Sequence, residues 1–255
     1  MKSIKSELIS RVSRFRLKRL STVSLERLIL DFRGKSVRAR IGQRDLPLFH
    51  PSLHSKCVLF IGGHKGRMPG ALLHSVPSIE LMDIYEPLPE FAEQIEATFS
   101  KEVLAGRVRV FQEAIVASGQ TVEMLRAGDH SAVDGIGRNL TGLVMGYSTC
   151  LAVQLESAVG RMGPVWSLIM NCEGSEYSVI EQLGRFGTDL LPTSIIVQFH
   201  VNEPDPFGSL YKARMSLTRH FTPITTCDFA WDIWIRNDLS PFTAQELERL
   251  PLSGL

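Results

Sequence analysis

From residue 56 onward, short and nearly continuous apolar runs alternate with longer segments in which apolar residues recur every three or four positions. The short runs predict buried β-strands and the longer segments predict helices. The predicted strands are CVLFIG (57–62), IELMDIYEP (79–87), RVRVFQEAIV (107–116), VWSLIMNCEG (165–174) and SIIVQFHV (194–201). The predicted helices cover residues 68–76, 89–105, 148–162, 175–186 and 209–221. Strands that alternate with helices predict a parallel sheet covered by helices on both faces.

The remaining segments set the predicted domain boundaries. PITTCDFAWDIWIRN (223–237) predicts two strands around a tight turn, and residues 117–147, rich in glycine and polar residues, predict a loop with short extended pieces. We therefore expect a helical arm over residues 1–50, one α/β domain over 51–240 and a short tail over 241–255.

The arm differs from the rest of the chain in charge. Residues 1–40 hold twelve Lys and Arg against three Asp and Glu, a net charge of +9, so the rest of the chain carries −8. Ile4, Leu8, Val12 and Phe15 lie at helical spacing, which predicts a basic amphipathic helix. Its apolar stripe could pack on the domain, it could contact an anionic membrane surface or an acidic partner, or it could be a cleaved organellar presequence.

Composition excludes several classes of protein. Of the 255 residues 44% are hydrophobic and 22% charged, as in ordinary globular domains. No apolar run approaches the ~18–20 residues that cross a bilayer. The four cysteines are widely scattered without a Cys-x-x-Cys pair, which disfavours a zinc cluster or a dithiol redox site. We expect a cytoplasmic protein with reduced thiols, which the basic arm could hold at a membrane surface. Aspartates and glutamates lie near the expected cleft, but their spacing does not specify a metal site, so the sequence leaves metal dependence open.

Ligands of parallel sheets bind at the carboxyl ends of the strands, beside the switch point in strand order. The first predicted strand is followed by Gly62-Gly63-His64-Lys65-Gly66. Glycines there let a ligand approach the backbone, or they simply form a tight structural turn. The dinucleotide fingerprint is not met, because His64 occupies the place of its second glycine, and the phosphate-loop pattern also fails.

Carboxylates follow the second and third predicted strands. Glu86 is suited to accept hydrogen bonds from the two hydroxyls of a ribose, although it could be an ordinary surface glutamate. It lies 20 residues beyond Gly66, as a nucleoside that crosses two adjacent strands requires. Glu113 could accept from an exocyclic amine such as that of adenine. Together these residues predict a ribonucleoside ligand.

Polar residues also follow the fourth and fifth predicted strands. Asn171, Glu173 and Glu176 lie near the expected cleft, Gly174 lets the chain turn, and His200 comes to the same edge. A lone histidine is more often structural than catalytic. Polar residues on neighbouring strand ends make a catalytic role equally acceptable.

The ordered segments FIGGHKG, IYEPLPEFAEQI, EAIV, LIMNCEGSEYSVIEQL and IIVQFH resemble the FkbM-type S-adenosylmethionine-dependent methyltransferases. The resemblance covers about residues 56–237, and its more specific pieces are the Glu-Pro pair before a helix and EGSEY after the fourth strand. It implies the class I methyltransferase fold, which is Rossmann-like: a seven-stranded, mostly parallel sheet with an antiparallel last strand and helices on both faces.

The resemblance also assigns roles to residues at the strand ends. Gly62, Gly63 and Gly66 would pass the methionine part of the cofactor, Glu86 would hold the ribose hydroxyls, and Glu113 would lie by the adenine; Ile61, His64, Pro87 and Ala114 complete the predicted cofactor site. Asn171, Glu173 and His200 would face the methyl group and the acceptor. His200 is the preferred base, since its reference pKa is near neutrality, and Glu173 is the next candidate. Two positions depart from the family pattern, because Phe60 and Asn171 replace its usual acidic residues.

The predicted function is S-adenosylmethionine-dependent O-methylation of a hydroxyl on a sugar or another polyhydroxy metabolite, with a small-molecule or glycan acceptor. The alternative is a non-catalytic nucleoside-binding or interaction module on the same fold, favoured by Phe60 and Asn171. A nicotinamide oxidoreductase is disfavoured by His64 and by the terminal hairpin. Specific nucleic-acid binding is not expected, because the domain itself is acidic. The sequence predicts no oligomeric state.

Overall fold

The structure is a computed structural model that describes residues 54–117, 120–127, 130–133, 146–162, 166–200, 205–226 and 231–239. The predicted basic arm (1–50) and the tail (241–255) lie outside the described residues, so the expectations about them stay predictions. In the described part of the chain, no helix is long and apolar enough to cross a membrane.

The described residues form two sheets and six α-helices. The strands are β1 (Cys57–Ile61), β2 (Leu81–Tyr85), β3 (Val108–Phe111), β4 (Glu113–Ile115), β5 (Thr121–Ala127), β6 (His130–Val133), β7 (Gly146–Val153), β8 (Trp166–Met170), β9 (Ser194–Gln198), β10 (Phe221–Thr225) and β11 (Trp231–Arg236). The helices are α1 (Arg67–Ser75), α2 (Pro89–Thr98), α3 (Ser100–Leu104), α4 (Leu155–Val159), α5 (Glu176–Leu183) and α6 (Pro206–Leu217).

The main sheet has seven strands in the order β10-β11-β9-β8-β1-β2-β3. β1 runs parallel to both β2 and β8, and the pairs β2–β3 and β8–β9 are also parallel. The last strand, β11, is antiparallel to β9 and to β10. This is the mostly parallel, seven-stranded sheet with an antiparallel last strand that the family resemblance implies, and the α/β, Rossmann-like fold class is confirmed.

Helices cover both faces of the main sheet. Side chains alternate between the two faces along each strand, so each buried strand contributes to both cores. Val58 and Phe60 of β1 join a core with residues of α1 and α2. Leu59 and Ile61 of the same strand join a second core with residues of α4, α5 and α6. A strand that is buried on both sides is an uninterrupted apolar run, which is why CVLFI was recognisable in the sequence.

Three predicted elements differ in the structure. The predicted third strand divides at Gln112, so that β3 stays in the main sheet and β4 joins a second sheet of order β4-β7-β5-β6. The helix predicted over 89–105 is interrupted at Phe99. The helix predicted over 148–162 is wrong in its first half, because β7 continues to Val153 and the five-residue α4 follows.

The second sheet packs against the beginning of α2. Met124 of β5 and Cys150 of β7 are buried in a small cluster with Leu88, and Phe91 packs against it. Leu88 lies two residues beyond Glu86, so this sheet adjoins the strand end for which the sequence predicts ribose binding.

Candidate functional site

From β1 the chain first adds β2 and β3 on one side of the sheet and later adds β8 and β9 on the other side, so the switch point in strand order lies between β1 and β8. Two turns lie at the carboxyl ends of these two strands. We call residues 62–66 the first turn and residues 171–175 the second turn. Each contains a non-glycine residue with positive φ, His64 (47°) in the first and Glu173 (50°) in the second. Such conformations cost about 1–3 kcal/mol and cluster at functional sites. The switch point is also where open α/β sheets bind ligands.

Glu86 follows β2 and its carboxylate is bonded to the first turn. The residue is 4% exposed; Oε2 accepts from the His64 backbone N–H (2.7 Å) and Oε1 from the Leu88 N–H (3.1 Å). Burial raises the pKa of Glu86, although the two backbone hydrogen bonds act in the opposite direction. Each carboxylate oxygen has a second lone pair, so the group is able to accept two more hydrogen bonds from a vicinal diol.

The glycines of the first turn are required by packing within the protein. A Cβ on Gly62 (φ 84°) would lie 1.9 Å from the backbone carbonyl oxygen of Asn171. A Cβ on Gly63 would lie 2.5 Å from Cγ2 of Ile84, and one on Gly66 (φ 75°) would lie 3.1 Å from the Phe99 ring. Each of these contacts is with a protein atom, and passage of a ligand at these glycines stays a prediction.

The third strand end carries a charged and aromatic cluster. Glu113 Oε2 pairs with Arg161 Nη1 at 3.2 Å, and the same nitrogen donates to the Tyr85 hydroxyl at 3.1 Å. Tyr85 stacks on Phe111 with ring centroids 4.8 Å apart, and the Arg161 guanidinium lies 4.8 Å from the Phe111 ring. Burial raises the pKa of Tyr85 to about 12. Arg161, which the sequence analysis did not select, engages the predicted adenine-side carboxylate.

His200 follows β9 and lies between two carboxylates. Its Nδ1 is 3.2 Å from Glu176 Oε1, and its Nε2 is 3.6 Å from Glu173 Oε1. Its backbone N–H donates to Glu176 Oε1 at 2.7 Å. The structure therefore brings together His200 and Glu173, the two residues that the sequence predicts as base candidates.

Glu176, which the sequence places near the expected cleft without a role, is the carboxylate that contacts the His200 ring. It is fully buried, and its Oε2 accepts from the Gly174 backbone N–H at 2.8 Å. Burial alone would raise its pKa, but the charge and hydrogen bonds of His200 lower it below its usual value. An acidic residue in the first turn of a helix is ordinarily taken as favourable to the helix dipole, which hides this role in the sequence.

Other predicted residues contribute through the backbone or lie in the core. The Asn171 N–H donates to the Ile61 carbonyl at 2.9 Å, which joins the ends of β8 and β1. The side chain of Ile61 lies in one core and Phe60 is fully buried in the other. Ala114 is buried with Val116 and Ala152 in the second sheet. Pro87 is half-buried next to Glu86.

Across the described ranges, no group of three or more His, Cys, Asp and Glu side chains is arranged to hold a metal ion.

Solved structures of several methyltransferases are similar to this chain. The FkbM methyltransferase from Methylobacillus flagellatus KT is 12% identical over 71% of this chain and 43% of its own, with a TM-score of 0.48. A methyltransferase from Geobacter sulfurreducens is 13% identical, with 89% and 96% covered and a TM-score of 0.43. The O-methyltransferase TomG from Streptomyces achromogenes, in complex with SAM, is 11% identical, with 74% and 76% covered and a TM-score of 0.41.

An FkbM methyltransferase is thus among the structural neighbours. This chain spans less than half the length of that protein. No protein-family model matches the sequence, and no curated protein matches it. At such low identities the activities and substrates of those proteins do not carry over to this chain.

Proposed function

We propose that this chain is an S-adenosylmethionine-dependent methyltransferase that O-methylates a hydroxyl of a sugar or another polyhydroxy metabolite. The observation that carries the proposal is that one edge of the main sheet holds both a group suited to bind a ribose and a group suited to accept a proton. A buried carboxylate, Glu86, is bonded to the first turn on one side of the switch point, and a histidine held by a carboxylate, His200, lies on the other side.

The residues on the β2 side fit the nucleoside part of the cofactor. Glu86 retains acceptor capacity on both oxygens for the ribose hydroxyls. Leu88 and the second sheet pack beside it and limit the access of water. When bound, S-adenosylmethionine supplies an electrophilic methyl group on a sulfonium sulfur, which leaves as a neutral thioether.

The residues that follow β8 and β9 are suited to position the acceptor hydroxyl and to remove its proton. Methyl transfer needs the acceptor oxygen in line with the methyl carbon and the sulfur, and such positioning lowers the barrier by several kcal/mol. A hydroxyl must also lose its proton, and a well-placed base contributes about 10²–10⁴-fold. His200 would take that proton, and Glu173, 3.6 Å from its Nε2, would accept a hydrogen bond from a hydroxyl of the acceptor.

Calorimetric titration of the full chain with S-adenosylmethionine, and separately with NAD, tests the cofactor. We expect micromolar binding of the former alone. Glu86→Ala should weaken it more than tenfold, about 1.4 kcal/mol, because the ribose hydroxyls lose their acceptor. Glu93→Ala, on the exposed face of α2, is the matched control and should bind as the wild type does. Equal loss of affinity in Glu86→Ala and Glu93→Ala would refute the role of Glu86 in cofactor binding. Binding of neither S-adenosylmethionine nor NAD would refute S-adenosylmethionine as the cofactor.

Turnover with a panel of sugars and polyols tests the reaction. His200→Ala should cut turnover by about 10²-fold or more while the dissociation constant for S-adenosylmethionine stays within about twofold. Loss of turnover and of cofactor binding to the same extent would make His200 a structural residue.

A non-catalytic nucleoside-binding module is the second candidate. It is favoured by Phe60 and Asn171, which stand where the FkbM family pattern has acidic residues. Phe60 is fully buried in the core, and Asn171 joins two strands through its backbone. A binding module would retain S-adenosylmethionine binding, transfer no methyl group to any acceptor, and tolerate the loss of His200 and Glu173.

A further inference from the structure

The carboxylate behind His200 determines which ring nitrogen carries a hydrogen. An ionised carboxylate only accepts hydrogen bonds, so the nitrogen that faces Glu176 Oε1, Nδ1 at 3.2 Å, must be the donor. The tautomer is assigned from this network of partners. The lone pair of the neutral ring then belongs to Nε2, because its distance of 3.6 Å to Glu173 Oε1 is beyond hydrogen-bond range.

Glu176 is well held for this task. Its carboxylate receives the backbone N–H of His200 on Oε1 and that of Gly174 on Oε2, at 2.7 and 2.8 Å. One buried side chain of α5 therefore connects the end of β9 with the second turn. A carboxylate fixed by two backbone donors holds the imidazole in one orientation, since neither oxygen is able to rotate away without breaking a bond.

We propose that Glu176 is a positioning residue of the methyl transfer: it keeps the hydrogen of His200 on Nδ1 and so makes Nε2 the atom that receives the acceptor proton. This inference rests on the proposed function. In the step, the acceptor hydroxyl passes its proton to Nε2 while its oxygen forms a bond to the methyl carbon, and the electron pair of the carbon–sulfur bond leaves with the sulfur. The negative charge of Glu176 then stabilises the imidazolium.

Among the residues that the structure describes, Glu173, Tyr177 and Cys172 also approach this pair. Glu173 approaches Nε2 from the second turn, and the Tyr177 hydroxyl of α5 donates to the His200 carbonyl at 2.7 Å. Cys172 Sγ lies 3.7 Å from Glu176 Oε2, and burial raises the pKa of that thiol well above its usual range, so it stays uncharged near neutral pH. The acid limb of a pH–rate profile is therefore expected to report on His200 and its two carboxylates.

Nitrogen NMR of the imidazole rings tests the inference without cofactor or acceptor. In the ¹⁵N-labelled full chain, with His200 assigned by comparison with His200→Asn, the neutral ring should show a protonated Nδ1 and an unprotonated Nε2. Glu176→Gln should reduce or reverse this preference. Glu181→Gln is the matched control, because Glu181 lies on the same helix in an exposed pair with Arg185, and it should leave the His200 resonances unchanged. A wild-type ring protonated at Nε2 would overturn the inference.

Kinetics separate a positioning role from a merely structural one. Glu176→Gln should lower kcat about 100-fold with the acceptor KM within about threefold, and it should move the acid limb of the pH–rate profile to lower pH by about one unit. Glu176→Asp should restore part of the rate. In a His200→Ala background, Glu176→Gln should cause no further loss of turnover, because the two residues act together. Lower stability with an unchanged pH profile would contradict the assignment.

The outcomes distinguish this inference from the proposed function. S-adenosylmethionine binding together with a ring protonated at Nε2 would keep the function and overturn the role of Glu176. A ring protonated at Nδ1 without binding or transfer would overturn the methyl transfer and, with it, any part of Glu176 in that reaction. If Glu176→Gln fails to fold, the wild-type tautomer and the Glu176→Asp profile still decide the matter.

Discussion

The first and second turns follow adjacent strands and resemble each other closely. Each has a non-glycine residue with positive φ and at least one glycine with positive φ. Each also donates a backbone N–H to a buried carboxylate: His64 to Glu86 in the first and Gly174 to Glu176 in the second. The turns differ in what else the carboxylate meets. Glu86 has a second backbone N–H, from Leu88, whereas Glu176 faces the His200 ring.

That difference sets the charge properties of the two carboxylates. Backbone dipoles do not compensate the burial of Glu86, so its pKa is raised, while His200 brings the pKa of Glu176 below its usual value. A carboxylate held only by N–H groups is suited to accept hydrogen bonds from neutral hydroxyls. A carboxylate held against an imidazole is suited to stabilise a proton that arrives on the ring. The same local geometry thereby supports binding on one side of the switch point and proton transfer on the other.

The largest effect is expected from a substitution that breaks the contact between the turns. Gly62→Ala would place a methyl group 1.9 Å from the Asn171 carbonyl oxygen at a backbone with φ of 84°, so we expect it to lower the free energy of unfolding by about 3 kcal/mol or more. Gly106→Ala is the matched control, because Gly106 also has positive φ (69°) but meets nothing within 4 Å; it should cost only about 1–2 kcal/mol. Urea denaturation measures both. Equal losses would show that conformation alone, without packing of the first turn on the second, requires glycine at residue 62.

A smaller effect, of opposite sign in the two turns, is expected from pH. The raised pKa of Glu86 means that its contribution becomes less favourable as pH rises from the usual value of about 4.3 through the raised pKa. The lowered pKa of Glu176 means that its stabilisation is present above about 4.3 and is lost as pH falls through the lowered pKa. Relative to wild type, Glu86→Gln should therefore gain stability as pH rises above about 4.3, whereas the stability deficit of Glu176→Gln should shrink as pH falls below about 4.3. Urea midpoints across this range measure the difference, and slopes of the same sign would refute the comparison.

The sequence predicted the main sheet well because its strands are buried on both faces. Such strands are short apolar runs bounded by turn residues, and neither face needs to be distinguished. Of the second sheet, the sequence predicted only the residues of β4, as part of a longer strand, and short extended pieces in a loop over residues 117–147. In β7, Cys150 and Ala152 are buried while Leu151 is 61% exposed, which is the two-residue period of a strand. All three residues are apolar, so the sequence does not show this alternation and resembles a helical pattern. Burial by Leu88 and Met124, which are distant in the chain, decides the outcome, and periodicity alone does not carry that information.

The candidate site was predicted to the extent that it follows from strand ends. Glu86, Glu173 and His200 come directly after buried strands, so their meeting at one edge follows from parallel topology. The pairing of His200 with Glu176 depends on a helix side chain that turns back to the second turn, and spacing does not determine side-chain direction. Arg161 was missed for a related reason, because it follows α4 in a segment that was predicted as the end of a longer helix.

The smallest effect comes from the strained residues, and it should separate the turns once more. Glycine tolerates positive φ, so replacing a strained residue removes about 1–2 kcal/mol of strain, offset in part by the greater entropy of glycine in the unfolded chain. Glu173→Gly should raise the free energy of unfolding by about 0.5 kcal/mol, because the strain it removes exceeds the small contribution of the 3.6 Å contact with His200 Nε2 that it also removes. His64→Gly should give no gain, because His64 also packs on Phe91 with ring centroids 4.5 Å apart, and that contact would be lost.

Activity gives this last comparison its meaning. If Glu173 holds the acceptor hydroxyl, Glu173→Gly should be more stable and slower than wild type, since residues kept for function often cost stability. Denaturation midpoints and turnover of Glu173→Gly, with His64→Gly measured in parallel, test this. A Glu173→Gly protein that is more stable and equally active would mean that the strain in the second turn serves no catalytic purpose. The proton acceptor at His200 would then work without a carboxylate on its acceptor side.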